Sequence, residues 1–214
     1  MKKLFFTALV LWSCQNIEII DKPITFDEER KELSLQYIKD HYGLEVEEPV
    51  IDPKIIVIHW TVIPTLEETF EAFNPSVLPS TRANIQAASS LNVSSQFVID
   101  RDGTIYQLLP ETTFSRHVIG LNYSAIGIEN IANGTDLPLT EAQFESNLKL
   151  ANYLSKKYDI EYLIGHDQYE SFIGHELWLE KDASYLTEKD DVGEEFINRL
   201  HDQLNIKLKK APQK

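Results

Sequence analysis

The sequence predicts a single α/β domain in which a central mixed β-sheet is flanked by helices. Three observations lead to this fold class. A β-branched apolar run at 54–60 is typical of a buried strand, a tight turn at 101–103 separates two further apolar runs, and a capped helical stretch covers 140–158. Strands that alternate with helical stretches along a chain favour a sheet with helices packed on its faces.

The predicted strands are short, apolar and bounded by turn residues. In chain order they cover 54–60, 94–100, 104–109, 124–131 and 162–164. Arg101-Asp102-Gly103 supplies the tight turn that makes the second and third strands a hairpin.

The predicted helices carry apolar residues at helical spacing. They cover 26–42, 140–158 and 193–206. Thr140 and Gln143 have the spacing of a capping box at the start of the second helix. Residues 167–192 are expected to be one long irregular segment, and segments of that length are usually functional or disordered.

The composition is that of a globular chain and argues against one class of partner. Of the 214 residues, 43% are hydrophobic and 10% are aromatic, which is enough to build a core. The formal net charge of −14 repels phosphate backbones, so nucleic acid is not expected as a partner. Acidic surfaces of this kind commonly serve solubility and indicate no other partner.

The N-terminus has the pattern of a bacterial export signal. Lys2 and Lys3 precede a short apolar run at 4–11, which is too short to span a bilayer as a permanent helix. Cys14, the only cysteine, follows a small residue, as in bacterial lipoproteins, where such a cysteine becomes the acylated first residue. We expect a lipid anchor at Cys14 on a bacterial membrane, the outer membrane first, facing the periplasm or the exterior. The alternative is an apolar N-terminus with an incidental cysteine.

Two of the six histidines stand where a metal site would need them. His59 and His166 each follow an apolar run at the C-terminal end of a predicted strand, where α/β proteins commonly place their sites. Two imidazoles on rigid supports suit a metal ion, although any one such histidine is more often a hydrogen-bonded core residue. His41 and His201 lie in charged helical stretches, and we expect both to be solvated.

A third ligand could come from the acidic end of the irregular segment. Residues 188–193 read Glu-Lys-Asp-Asp-Val-Gly, and such a charge run is most often a solvated surface. An aspartate from this run would complete a set of two histidines and one carboxylate, which is typical of catalytic zinc sites that leave a fourth position to water. The chain has no His-Glu-x-x-His pair, so a helix-based zinc peptidase is not indicated.

Five motifs then occur in an order that is typical of one family. They are Ile-Val-Ile-His59-Trp-Thr61, Val-Ser-Ser-Gln-Phe-Val-Ile-Asp-Arg-Asp-Gly103, Ser-Ala-Ile-Gly-Ile-Glu129, Ile-Gly-His166 and Lys189-Asp-Asp191-Val-Gly193. The chain resembles, over about residues 54–206, the type 2 N-acetylmuramoyl-L-alanine amidases, which are related to the peptidoglycan recognition proteins. Each motif alone is a weak signal, and the five in order are a strong one.

The resemblance implies a zinc-dependent enzyme that hydrolyses the amide bond between N-acetylmuramic acid and L-alanine in peptidoglycan or muropeptides. It implies one zinc ion per chain, held by His59, His166 and Asp191. It further implies that Glu129 acts as general base and that Lys189 stabilises the oxyanion.

The resemblance also implies a substrate groove and a domain organisation. Trp60, Thr61 and His117 match residues near the groove. The expected organisation is a lipoprotein signal peptide at 1–13, a tether and N-terminal helix at 14–53, with the tether over 15–25, the amidase domain at 54–208 and a tail at 209–214.

The sequence departs from the family pattern at several positions. A second Gly-His pair ends at His175, and we prefer His166 as the ligand because it directly follows a predicted strand. Gln96 stands where many members have histidine, Val192 replaces the usual proline, and the motif around His117 is a loose match.

Two alternatives stay open at this stage. One is a non-catalytic peptidoglycan-binding protein of the same fold, and the other is a zinc hydrolase of a different amide. The joint presence of the three candidate ligands with Glu129 and Lys189 favours catalysis.

Overall fold

The computed structural model describes residues 17–80 and 87–213, so the predicted signal peptide and Cys14 lie outside the described residues. The predicted fold class is confirmed, because a six-stranded mixed sheet carries helices on its faces. Within the described ranges, no helix combines the length and the apolar character needed to cross a membrane.

The sheet contains every predicted strand, most of them shorter than expected, and one strand more. The strands are β1 (Ile20–Asp21), β2 (Ile55–Trp60), β3 (Phe97–Ile99), β4 (Ile105–Gln107), β5 (Ala125–Asn130) and β6 (Tyr162–Gly165). Their order across the sheet is β1-β4-β3-β5-β2-β6. The hairpin β3–β4 is antiparallel as predicted, and β3, β5, β2 and β6 run parallel to one another. The C-terminal ends of these four strands therefore meet at one edge of the sheet.

Over residues 17–80 and 87–213, four α-helices surround the sheet. They are α1 (Glu28–Tyr37), α2 (Leu66–Phe73), α3 (Glu141–Lys157) and α4 (Glu194–Gln203). A π-helical turn, Ile38–Tyr42, continues α1, and a 3-10 helix, His166–Phe172, opens the segment predicted to be irregular. The capping box is confirmed, since the Gln143 amide donates to Thr140 Oγ1 (3.1 Å) and the Thr140 amide donates to Gln143 Oε1 (3.0 Å). Helix α2 was not predicted from the sequence.

The two faces of β2 pack into different clusters because successive side chains of a strand point to opposite faces. Ile56 and Ile58 join the main core together with residues of α3 and α4. Ile55 and Val57 lie in a second cluster with aromatic residues of β6 and the 3-10 helix. His59, two residues after Val57, continues the second face, opposite to α3 and α4.

The N-terminal segment differs from the expected tether over 15–25. Ile20 and Asp21 pair in parallel with β4, and backbone bonds from Lys22 to Gln107 (3.0 Å) and from Ile24 to Leu108 (3.0 Å) continue this contact. Ile24 is buried in the core. A two-residue strand gives no periodicity, which is why the sequence did not indicate it.

The expectation that His41 is solvated is wrong. Its ring is buried in the turn after α1, with Nδ1 3.0 Å from the carboxylate of Glu180 and Nε2 3.0 Å from the carbonyl oxygen of Ala88. The backbone of Lys181 also donates to the carbonyl of His41 (2.9 Å). The N-terminal helix therefore holds the middle of the irregular segment. His201 is half-buried rather than solvated, with Nε2 2.9 Å from the carbonyl oxygen of Leu163.

Candidate metal centre and active site

Three parallel strands bring the candidate site together at one edge of the sheet. His59 on β2 is in register with Glu129 on β5, and Ile58 is in register with Gly165, the residue before His166. Partners in register point to the same face, so His59, Glu129 and His166 share the face opposite to α3 and α4. Strand register places His59 beside Glu129, and His166 joins them because it directly follows β6.

Asp191 reaches the same point from the end of the long segment. The amide of Asp167 donates to the backbone carbonyl of Asp191 (2.7 Å), which fixes the segment against the start of the 3-10 helix. Val192, the next residue, is buried in the main core. The aspartate is therefore held from both sides of its backbone.

His59, His166 and Asp191 form a compact, buried triangle of donor atoms. The Nδ1 atoms of the two histidines lie 2.9 Å apart, and Asp191 Oδ2 lies 3.0 Å from His166 Nδ1 and 3.4 Å from His59 Nδ1. All three side chains are buried, and in the described part of the chain no other group of three or more His, Cys, Asp or Glu residues is close enough to hold a metal ion.

The electrostatics of the triangle favour the ligand forms of its members. Burial, with the neighbouring imidazole of His59 adding to it, lowers the pKa of His166 to about 4, so its imidazole is neutral near neutral pH. Burial alone would raise the pKa of Asp191, but its contacts with the imidazoles of His166 and His59 outweigh it and hold that pKa well below its usual range. Neutral imidazole and ionised carboxylate are the forms that bind metals.

The donor set fits a zinc ion. Zinc accepts nitrogen and carboxylate ligands, and two histidines with one carboxylate leave a fourth position for water or substrate. The three donors come from a strand end, the residue after a strand and a fixed loop, which gives the site rigid supports.

A pocket of about 470 Å³ opens over the triangle. It brings together every candidate site residue inferred from the sequence except Cys14. The lining residues include Trp60, Thr61, Arg116, His117, Glu129 and Lys189 as well as the triangle itself. Glu129 is buried and Lys189 is half-buried, so an acidic and a basic side chain stand beside the candidate metal position.

The side chains of the three candidate groove residues make different contacts. The ring of Trp60 packs against Gly134, where a side chain would collide with the indole. Thr61 Oγ1 donates to the carbonyl of Ile63 (2.7 Å) and accepts from its amide (3.1 Å), so this hydroxyl builds the turn after β2. His117 lies with Nδ1 3.0 Å from Nε2 of His59.

The two Gly-His pairs lie in different surroundings. His166 belongs to the triangle, whereas His175 lies with Nε2 3.2 Å from the hydroxyl of Tyr162 and its Nδ1 accepts from the amide of Leu177 (3.2 Å). The grouping agrees with the preference for the histidine that directly follows β6.

Several residues of the pocket were not predicted from the sequence, among them Arg116 and Val62. Arg116 is buried, and its guanidinium donates to the carbonyls of Ser89 and Leu91 and to the hydroxyl of Tyr185. Val62 is 67% exposed at the pocket rim with a φ of 58°, a left-handed conformation that is rare for a β-branched residue. Arg116 stands in a motif that matches the family pattern only loosely, and no pattern in the sequence marks a left-handed valine.

Comparisons with known proteins agree with this geometry. The sequence profile of the family described as N-acetylmuramoyl-L-alanine amidase (Amidase_2) matches residues 49–193. No protein with a curated description matches the chain at a significant level.

The chain is also similar to several solved structures. The N-acetylmuramoyl-L-alanine amidase LysC from Clostridium intestinale URNW is 25% identical, with a TM-score of 0.50 over 72% of this chain and 85% of that chain. The endolysine amidase LysCS from the same organism is 24% identical, with a TM-score of 0.45 over 71% and 82%. The amidase AmiD from E. coli, solved with an anhydro-N-acetylmuramic acid peptide, is 19% identical, with a TM-score of 0.44 over 60% and 53%. The family profile covers most of the chain, and the chain therefore belongs to the N-acetylmuramoyl-L-alanine amidase family.

Proposed function

We propose that the protein is a zinc-dependent amidase that hydrolyses the bond between N-acetylmuramic acid and L-alanine in peptidoglycan or its soluble fragments. The observation that carries this proposal is the buried triangle of His59, His166 and Asp191, with Glu129 and Lys189 in the same pocket. Membership of the amidase family supports the choice of bond.

The proposed roles follow from what amide hydrolysis requires. The triangle would hold a zinc ion, which would supply Lewis acidity and lower the pKa of water to near neutrality. Glu129 takes a proton from the attacking water and passes it to the departing nitrogen of L-alanine. Lys189 stabilises the negative charge that develops on the carbonyl oxygen. The products are a lactyl carboxylate on the sugar and a peptide with a free amino terminus.

Trp60, Thr61 and His117 form part of the wall along which the substrate would lie. Trp60 offers an aromatic surface for a sugar or an apolar side chain. Thr61 acts indirectly, because its hydroxyl is already engaged in the turn that positions the neighbouring rim.

One experiment tests the activity directly. Purified protein is incubated with muropeptides, with and without a chelator, and the products are identified by mass. We expect free peptide and its sugar acid, with loss of both after chelation and recovery with zinc. An inactive protein that still binds muropeptides would belong to the non-catalytic, peptidoglycan-binding class.

The ligand assignment predicts how two histidine variants bind metal. His166→Ala removes a member of the triangle and should abolish zinc binding, with one zinc per chain in the wild type. His175→Ala is the matched control, because this histidine contacts Tyr162 outside the triangle and its loss should leave most zinc bound. Metal analysis of both variants gives the answer, and the opposite pattern would assign the site to His175.

We also propose that Cys14 is acylated and that the domain is anchored to a bacterial membrane, facing the periplasm or the exterior, with the outer membrane as the first expectation. The support is the sequence pattern of two lysines, a short apolar run and a lone cysteine.

A further inference from the structure

The imidazole of His59 has polar neighbours on both sides. Its Nδ1 faces His166 and Asp191, and its Nε2 lies 3.0 Å from Nδ1 of His117. The second ring nitrogen of His117, Nε2, lies 3.3 Å from the backbone carbonyl oxygen of Ala125. These groups form a chain of hydrogen bonds that ends at an atom able only to accept.

We propose that His117 is a positioning residue that fixes the tautomer and ring orientation of His59, so that the His59 Nδ1 lone pair is directed at the metal position. This inference rests on the zinc site of the proposed function. It gives His117 a role through His59, which differs from the substrate contact implied by the resemblance.

The hydrogen positions follow from the order of donors and acceptors. The carbonyl of Ala125 can only accept, so Nε2 of a neutral His117 carries the hydrogen and its Nδ1 is an acceptor. Nε2 of His59 must then donate to His117. An imidazole that binds a metal is neutral and carries one ring hydrogen, so a hydrogen held on Nε2 of His59 leaves the Nδ1 lone pair for the metal.

The surroundings of His117 hold its ring at this point. Gly127 faces the ring, and a Cβ at that position would lie 2.9 Å from Cγ and Nδ1 of His117. The backbone amides of His117 and Val118 both donate to Asn122 Oδ1, at 2.8 and 2.7 Å. The His117 ring can therefore lie across β5 only because residue 127 has no side chain. The backbone of His117 is held by its hydrogen bond to Asn122.

The test measures zinc binding and ring tautomers in the full chain without substrate. His117→Phe keeps a ring of similar shape but offers no acceptor, and His117→Asn returns an acceptor near the Nδ1 position. Loss of such an outer partner typically lowers metal affinity about 10–100-fold. We expect His117→Phe to lose zinc affinity by that factor and His117→Asn to recover much of it. Gly127→Ala should weaken zinc binding as well, because it displaces the ring without removing it.

Two controls make the outcomes distinct. His175→Phe changes a histidine outside the triangle and should leave zinc affinity unchanged. Long-range ¹H–¹⁵N spectra of the zinc-free protein should show His59 protonated at Nε2 in the wild type and a mixture of tautomers in His117→Phe. If His117→Phe keeps the wild-type affinity and tautomer, the positioning role is wrong. A separate turnover assay with muropeptides that shows a raised KM and an unchanged zinc affinity would then make His117 a substrate contact. If the wild type binds no zinc, the proposed function fails, and the tautomer spectra still decide the role of His117.

Discussion

Glu129 is the residue on which the distinction between an enzyme and a binding protein depends most directly. It stands on β5 in register with His59, buried in the wall of the pocket. Its carboxylate can accept a proton, and the amide of a glutamine of the same shape cannot.

We therefore expect Glu129→Gln to lower turnover of muropeptides by about 10²–10⁴, the usual cost of losing a general base. Zinc content and muropeptide affinity should hardly change, because Glu129 is not among the proposed ligands. Glu111→Gln is the matched control, since Glu111 is a buried carboxyl that contacts Lys157 and Tyr158 outside the pocket. Full activity in Glu129→Gln would rule out the proposed mechanism.

The left-handed backbone of Val62 predicts that a glycine substitution at this position does not destabilise the protein. Its φ of 58° costs a residue with a Cβ about 1–2 kcal/mol, whereas glycine adopts such angles freely. Glycine also makes the unfolded chain more flexible, which costs about 0.5–1 kcal/mol. We expect Val62→Gly to be neutral or up to about 1.5 kcal/mol more stable in urea unfolding.

Val50 provides the comparison for this measurement. It is a valine that is 54% exposed, and its backbone lies outside the left-handed region. Val50→Gly should therefore lower stability by about 0.5–1 kcal/mol. Equal losses in the two variants would mean that Val62 carries no backbone strain.

At the scale of elements, the turn after α1 is joined to the long segment by a buried pair. The ring of His41 stacks on Tyr37 at 4.1 Å between ring centroids and faces the carboxylate of Glu180 on one side and the carbonyl of Ala88 on the other. Both ring nitrogens face acceptors, which favours the protonated ring. Burial alone would lower the pKa of His41, but its hydrogen bonds to Glu180 and Ala88 raise it above the ordinary value of 6.5.

This pair predicts a pH-dependent contribution to stability. Because the pKa of His41 is raised on folding, its contribution is fully present below about pH 6.5 and is lost as the pH rises through the higher pKa of the folded state. His41→Phe keeps the stacked ring but leaves Glu180 without this partner, which we expect to cost about 3 kcal/mol at pH 6.

The measurement is urea unfolding of the wild type and His41→Phe at pH 6 and pH 9. The difference between them should shrink at pH 9, and a difference independent of pH would show that His41 does not pair with Glu180 as an ion. The double variant His41→Phe/Glu180→Gln should recover part of the loss, because it no longer buries a charge.

Some elements were predictable because local pattern and tertiary role coincide. The β-branched run that ends at His59 predicts strand β2, and the capping box at Thr140 predicts the start of α3. In both cases a few adjacent residues are enough. Strand β1 and the burial of His41 depend instead on partners far along the chain, at β4 and Glu180. No local periodicity records such contacts.

The candidate site divides in the same way. His59 and His166 were recognisable because they end apolar strands, and parallel strands collect their ends at one edge. Asp191 sits in a charge run that reads as solvated surface, so only the family resemblance selected it. The contact between His59 and His117 depends on the missing side chain of Gly127, which no spacing argument reveals.

For the whole molecule, the proposed anchor is tested through the only cysteine of the chain. The wild type should fractionate with membranes and incorporate a labelled fatty acid, and Cys14→Ser should be soluble or persist as an unprocessed precursor. Because there is one cysteine, label in the wild type that is absent from Cys14→Ser assigns the acylation site. Identical fractionation and gel mobility of the two proteins would refute the anchor.

The edge strand β1 sets how far an anchored protein could work from its membrane. Ile20 pairs with Tyr106, and the register continues through Val98 and Glu129 to His59. Four strand spacings of about 4.8 Å separate the two ends of this row, roughly 19 Å in all. The stretch from Cys14 to Ile17 adds at most about 11 Å, and the one from Ile17 to Ile20 a similar length. An anchored pocket would thus stay within roughly 40 Å of its lipid. So short a tether would favour peptidoglycan fragments that diffuse close to the membrane surface. Peptidoglycan strands farther from the membrane would be out of reach.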